Sequence, residues 1–287
     1  MATIGHQWGG YSKQDGKTEL RDAKEPLQGR ETSAATSTND GSIPELYKKE
    51  PGSLSSLLIV VISGGDVREY NYLQELSIKH TFPQVKLIFL SSERNKGGLT
   101  PRMMLEKLDD SIDFDEQIKS DKILISSIDK IFMVTDVDHY YEELAKIIPN
   151  NDKPKVIWVV SNPCFEIWLY YSHFDHINEE IRLLESIPQS QQSSKLKTIN
   201  DIIFKGGIDP RKAFDHIQTA IENAKNNFQE DKNGIPKLFS TSMYVLGEYI
   251  LDAIGKREFD KWLEKKQKEI EAYRKKSQID GNTSSSK

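Results

Sequence analysis

Asp136-Val137-Asp138-His139 sets two carboxylates two residues apart, directly after the apolar run Ile131-Phe-Met-Val-Thr135. In an extended segment, residues i and i+2 point to the same side. Both acids are therefore expected to converge. Neighbouring carboxylates repel, so one keeps a proton unless a cation neutralises the pair. Mg²⁺, or Mn²⁺ in its place, is the expected cation, because it takes oxygen ligands from one or two carboxylates plus water. The plain alternative is a solvated loop in which an Asp caps a helix near Tyr140. His139 reads as a rim residue.

Two more segments carry chemistry-bearing side chains after apolar runs. Ser63-Gly64-Gly65-Asp66-Val67-Arg68-Glu69 follows Leu57–Ile62. Gly64 and Gly65 allow a tight turn and a close approach to a ligand, and the helix that follows could offer free N–H groups to an anion. The spacing is neither that of a P-loop nor of a dinucleotide fingerprint, so a simple strand-to-helix turn is the alternative. Ser161-Asn162-Pro163-Cys164-Phe165-Glu166-Ile167-Trp168-Leu169 follows Val156–Val160. Asn162 before Pro163 reads as an N-cap with Pro at the first helical position. Phe165, Trp168 and Leu169 share one face. Glu166 lies off that stripe, and His173, seven residues on, shares its face.

The remaining candidates read more plainly. Cys164 has no activating histidine arrangement and reads as a buried thiol. His6, His80, His176 and His216 lack metal-ligand spacing. The late cations Lys195, Lys197, Lys205, Arg211, Lys212, Lys225 and Lys237 suit solvated helix faces. One or two, Lys197 among them, could line a groove beside the acids and contact phosphate.

These residues must be positioned by a scaffold. Leu57–Ile62, Val85–Leu90, Ile131–Thr135 and Val156–Val160 each have strand length and β-branched or aromatic content. Nearly continuous apolar runs suit strands covered on both faces. Helical patterns over Arg68–Lys79, Pro101–Leu108 and Tyr140–Ile148 alternate with them. The pattern predicts an α/β domain with a mostly parallel sheet. Ligands bind outside the carboxyl ends of such strands, where all three segments above fall. After Val160 the patterns are helical only: Cys164–His173, Asn178–Ile187, Pro210–Asn226 and Ser242–Lys256.

Composition sets the outer limits. The 287 residues are 37% hydrophobic and 29% charged, polar for a globular chain of this size. Residues 1–55 read as a disordered polar tail, and residues 258–287 as a charged helix and tail, with Phe259, Trp262 and Leu263 as its apolar stripe. Residues 56–257 are the expected domain. The net charge is −5. Residues 1–55 hold 7 basic and 8 acidic groups and residues 258–287 hold 8 and 6, which leaves −6 over the domain. Binding of nucleic acid by bulk positive charge is excluded. One cysteine excludes a disulfide scaffold and a multi-cysteine zinc site. No apolar run reaches membrane-helix length, and the first ten residues lack the apolar core of a signal peptide. A soluble protein of a reducing cytoplasm is expected.

Asn71-Tyr72 after the Gly-rich turn, the Asp136/Asp138 pair and the string Ser161–Leu169 with His173 beyond it together resemble the RloB family. Ser240-Thr-Ser-Met-Tyr244 is similar to that family's Asn-Pro-Ser-Thr-Thr-Val-Tyr segment. The resemblance runs from about Leu57 to Leu251. It implies a Toprim-like α/β fold that binds Mg²⁺ through a Glu after the first strand and an Asp-x-Asp after a later one. It also implies a bacterial role linked to restriction and anti-phage defence, beside an ATPase of the AAA/ABC-like type, with a nuclease activity. By resemblance Asp136 and Asp138 match the metal pair, and Asn162, Glu166 and His173 match a second cluster. Lys197 matches a lysine further on. The family pattern at the first turn is Glu-Gly-Glu-Lys-Thr-Glu-Pro-Asn-Tyr. Here Gly64 stands for its first Glu and Val67 for its Lys, while Asp66 and Glu69 keep acids.

Three readings follow. The first is a Mg²⁺-dependent nuclease acting on DNA or tRNA, with Asp136 and Asp138 on the metal and Asp66, Glu69 or Glu166 completing the acidic ring. The second is a catalytically impaired binding or regulatory module, motivated by Gly64. The third is a phosphohydrolase with Asp136 as nucleophile. That chemistry usually places Asp-x-Asp on the first strand, whereas two strand-like runs precede it here.

Overall fold

The computed structural model describes residues 56–78, 81–92, 97–117 and 121–284; the tail expected over 1–55 lies outside the described residues. The first half alternates strand and helix: β1 (Leu57–Ser63), α1 (Arg68–Ser77), β2 (Val85–Leu90) and α2 (Pro101–Ser111). A two-residue ladder of β3 (Ile112–Asp113) and β4 (Ile123–Leu124) follows, then β5 (Lys130–Asp136), α3 (Tyr141–Ile147) and β6 (Val156–Ser161). The four long strands pair in parallel in the order β2-β1-β5-β6. From β1 the chain first builds outward to β2, then returns to place β5 on the other side. The carboxyl ends of β1 and β5 are therefore the switch point where open α/β sheets bind ligands.

Side-chain alternation divides the sheet between two cores. Ile59, Val61, Phe132 and Val134 face one side, with Tyr72, Leu73 and Leu76 of α1. Val60, Ile62, Ile131 and Met133 face the other, with Met104 and Leu108 of α2. Each fully buried side chain of this kind contributes about 1.5–3 kcal/mol. Asp136 continues the Phe132–Val134 row, so the alternation aims it at the α1 side.

Among the described residues after β6 the regular elements are helices: α4 (Glu166–Tyr171), α5 (Glu179–Arg182), α6 (Gln189–Ile203), α7 (Pro210–Ala213), α8 (Ile217–Asn226), α9 (Met243–Ile254) and α10 (Lys256–Ser284). This matches the expected parallel α/β half followed by a helical half. All six residues of α4 are buried, with Trp168, Tyr170 and Tyr171 at the centre of the larger core. A single apolar stripe therefore understates this helix. The α10 stripe is seated in the same core, with Phe259 buried against Phe82 and Phe214. The helix runs on to Ser284, beyond the fraying expected after Lys276. The β6 edge is covered by Ser240–Ser242. Thr241 bridges Ser161 in antiparallel fashion, their hydroxyls lie 2.8 Å apart, and Val160 N–H donates to Ser242 Oγ at 2.8 Å. Pairing of this kind protects an otherwise open edge.

Two local expectations are corrected. Asn162 is not an N-cap: α4 begins at Glu166, and Asn162–Pro163 is a cis peptide. The Asn162 amide donates to Pro236 O at 2.7 Å, and its backbone N–H donates to Ser240 O at 2.9 Å. Those partners, not a helix start, satisfy its polar groups. Asp138 is not extended either, since its φ is +23°. The chain turns there, with Val137 buried against Leu144, Val160 and Ile235. The i, i+2 argument therefore does not govern Asp138.

Candidate functional site

Beyond the ends of β1 and β5 lies a cavity of about 250 Å³ lined by Gly64, Gly65, Glu69, Asp136, Glu166 and Lys197, among others. Three elements deliver its acids. Asp136 ends β5, Glu69 comes from the first turn of α1, and Glu166 opens α4. Glu166 is 2% exposed and Glu69 9%. Gly65 makes room for Glu69, because a Cβ on residue 65 would fall far inside van der Waals contact with the Glu69 carboxylate.

Glycine also closes the wall opposite. Gly64 N–H donates to Val134 O at 2.8 Å, and Leu99 N–H donates to Gly64 O at 2.9 Å. A Cβ on Gly98 would collide with Gly64 O. A Cβ on Gly64 would lie 3.2 Å from both Leu99 O and Thr135 Oγ1. The space at the end of β1, where the family pattern has an acid, is thus held tightly by backbone.

Two cations face the acids. Arg68 Nε lies 3.2 Å from Glu166 Oε1, and Lys197 Nζ lies 3.9 Å from the same oxygen. The Arg68 guanidinium also donates from Nη2 to Ile208 O at 3.2 Å. Neither Arg68 Nε nor Glu166 Oε1 has hydrogen-bond geometry to any described residue, although both atoms are buried. Asp138 Oδ1 is likewise buried without a hydrogen bond, and His139 Nε2 is 3.5 Å away.

The RloB-like protein family matches residues 59–250. The chain belongs to that family. No curated protein and no solved structure matches it.

The electrostatics of this RloB-like site follow from burial. Desolvation pushes the Glu69 carboxyl up to about 7, and the charge of Glu166 pushes the same way. Its own backbone N–H, Lys197 and Arg68 pull it down. Asp136 is held well above the carboxylate range, first by desolvation, then by Glu69 and Glu166. The acids thus compete for ionisation, and a proton or a cation must relieve the crowding. Burial opposes the Lys197 charge, yet Glu166, Cys164 and Asp136 together raise its pKa. Burial and then the same acids push the Cys164 thiol well up, leaving it a poor nucleophile.

The RloB-like fold gathers most, but not all, of the residues singled out above. Gly64, Gly65, Asp66, Glu69, Asp136, Asp138, Glu166 and Lys197 line the cavity, with Asp66 exposed at its mouth. Asn162 and His173 do not. Asn162 clamps the Pro236 segment. His173 lies beyond the end of α4, exposed, its ring against Phe204 and His216. Arg68, Gly98, Leu99, Thr135 and Tyr140 line the cavity without having been selected. Arg68 had a usable signal, since it opens the first turn of α1, three residues after Gly65. Gly98 had none, because its partner Gly64 is 34 residues away.

Among the described residues no three acidic, histidine or cysteine side chains stand in a ready coordinating arrangement. Glu166 is turned toward Arg68 and Lys197 instead. The donors nonetheless suit a hard divalent cation in kind: they are carboxylate oxygens, and Glu166 Oε1 and Asp138 Oδ1 are buried without hydrogen bonds. Mg²⁺ needs only one or two direct carboxylates and keeps its waters. Among the described residues no helix is long and apolar enough to cross a membrane.

Proposed function

We propose that this RloB-like chain is a Mg²⁺-dependent phosphodiester hydrolase of an anti-phage system, working with an ATPase partner on DNA or tRNA. The observation that carries the reading is the meeting of Glu69, Asp136 and Glu166 at the sheet's switch point, facing Arg68 and Lys197. Asp136, with Asp138 or Glu166, would hold the metal. When bound, the ion would neutralise charge developing on a phosphate and acidify a water. Glu69, whose pKa lies near neutrality, can then accept or return a proton at its carboxylate. Arg68 and Lys197 are the cations available to non-bridging phosphate oxygens. Gly64, Leu99 and Thr135 wall off the β1 side.

The test is metal-dependent cleavage of DNA and tRNA, with and without the ATPase partner. Wild-type protein should cleave and Asp136→Ala should not. Equal background from both proteins across substrates and metals would sink the reading.

One observation favours a second reading, a catalytically impaired binding module. The place of the family's first acid is Gly64, and Leu99 O stands 3.2 Å from any Cβ there. Calorimetric titration with Mg²⁺ separates the two: the impaired module predicts no heat that Asp136→Ala removes.

A further inference from the structure

A second cavity, of about 580 Å³, opens beside the acidic one beyond the end of β2. Asp66 and Val67 line both cavities and form their shared wall. The far side carries Tyr70 and Phe89, whose rings meet edge to face with centroids 5.4 Å apart. Tyr70 is 42% exposed and Val67 59%. Polar groups sit beside the rings. Ser92 Oγ is buried without a hydrogen bond, and Asn71 lines the same cavity. An exposed ring, an apolar wall, an amide and a hydroxyl in a cavity of this volume match the composition of small-ligand sites.

We infer that this second cavity is a subsite for an unpaired nucleobase, whose backbone phosphate reaches the acidic cavity next to it. The inference rests on the phosphodiester reading above and names the substrate class as single-stranded or locally unpaired nucleic acid. The chemistry favours a base over other rings for three reasons. Every base has a π-face that an exposed aromatic ring can stack on, without regard to sequence. An Asn amide can pair with a base edge through both its donor and its acceptor. Neighbouring strands lie about 4.7–4.9 Å apart, so the openings beyond β2 and β1 are a single strand-width step that one nucleotide can bridge. A base inside a duplex could not present its face to Tyr70.

The experiment measures binding by fluorescence anisotropy, with Ca²⁺ replacing Mg²⁺ to slow cleavage. The probes are a labelled single-stranded oligonucleotide, the same strand with abasic sites, and the duplex. A nucleoside monophosphate serves as competitor to distinguish a free nucleotide from a strand. Tyr70→Ala should weaken single-strand binding on the order of tenfold, while Tyr70→Phe should bind as wild type does. The abasic strand should bind wild type as weakly as the intact strand binds Tyr70→Ala. Equal affinity of wild type and Tyr70→Ala for the intact strand would overturn the subsite, as would no binding by wild type. Cleavage is scored separately. Cleavage insensitive to Tyr70→Ala, with unchanged binding, removes the subsite and leaves the hydrolase reading. Tyr70-dependent binding with no cleavage that Asp136→Ala removes does the reverse.

Discussion

The Glu69 carboxylate occupies the space that a side chain on Gly65 would need. The two residues lie on either side of the turn from β1 into α1, and the absence of one side chain gives the other its place over the turn. Gly65→Ala should therefore act on the site before it acts on the fold. The displaced group is the end of a flexible side chain, so the stability loss should stay near 1 kcal/mol. A proton-transfer group misplaced by about 1 Å can cost on the order of 100-fold in rate. Urea denaturation alongside a cleavage assay checks this: the midpoint should shift little and cleavage should fall at least tenfold. A large midpoint shift with unchanged cleavage would contradict it.

The Glu69 carboxyl predicts a pH dependence of defined sign. Its pKa rises from 4.5 to about 7 on folding, chiefly through desolvation. Between those values the native state binds more protons than the unfolded chain, so stability falls as pH rises through that window. Asp136 is shifted in the same direction. Glu69→Gln removes its share of the effect. At pH 8 the variant should be more stable than wild type by about 1–3 kcal/mol, and near pH 5 the gap should largely close. Denaturation curves at the two pH values provide the measurement.

The sheet was legible in the sequence because both of its faces are covered. Leu57–Ile62 and Ile131–Thr135 are continuous runs that only a strand buried on two sides requires, and both became strands. Helix α6 carries no legible signal because Gln189-Ser-Gln-Gln-Ser-Ser presents no apolar period; Leu196 and Ile199 anchor its later turns in the core, with Ile203 partly buried against it. Within the site, the rule that ligands sit after strand ends found Asp136, Glu69 and Glu166. It could not assign Asn162, whose partners Pro236 and Ser240 are more than 70 residues away. Nor could it supply Arg68 as the partner of Glu166, since that pair forms only once α1 and α4 pack on the same face of the sheet.

That ion pair should show strong non-additivity. Glu166 is 2% exposed, while the Arg68 side chain is 38% exposed. Removing Arg68 leaves Glu166 buried with Lys197 alone, 3.9 Å away. Arg68→Met should cost about 1–3 kcal/mol, below the range for a fully buried pair because Arg68 is partly solvated. The double variant Arg68→Met/Glu166→Gln should recover much of that loss, because no uncompensated charge remains. A double-mutant cycle by urea denaturation reads the coupling directly. Additive losses would mean that Lys197 and water already satisfy Glu166.

Gly98 should respond in the opposite way to Gly65. Its added Cβ meets the backbone carbonyl of Gly64, not a movable side chain. The same carbonyl accepts the Leu99 N–H at 2.9 Å, which ties the segment before α2 to the end of β1. Gly98→Ala must shift one of the two backbones and weaken that bond. A stability loss of about 1–3 kcal/mol is expected, typical of forced overpacking. Because Gly64 and Leu99 also wall the acidic cavity, cleavage should fall together with stability. Hydrogen exchange separates this from general loosening. The Leu99 amide should lose protection first, while Ile59–Ile62, fully buried on both faces of the sheet, should keep the protection set by global unfolding.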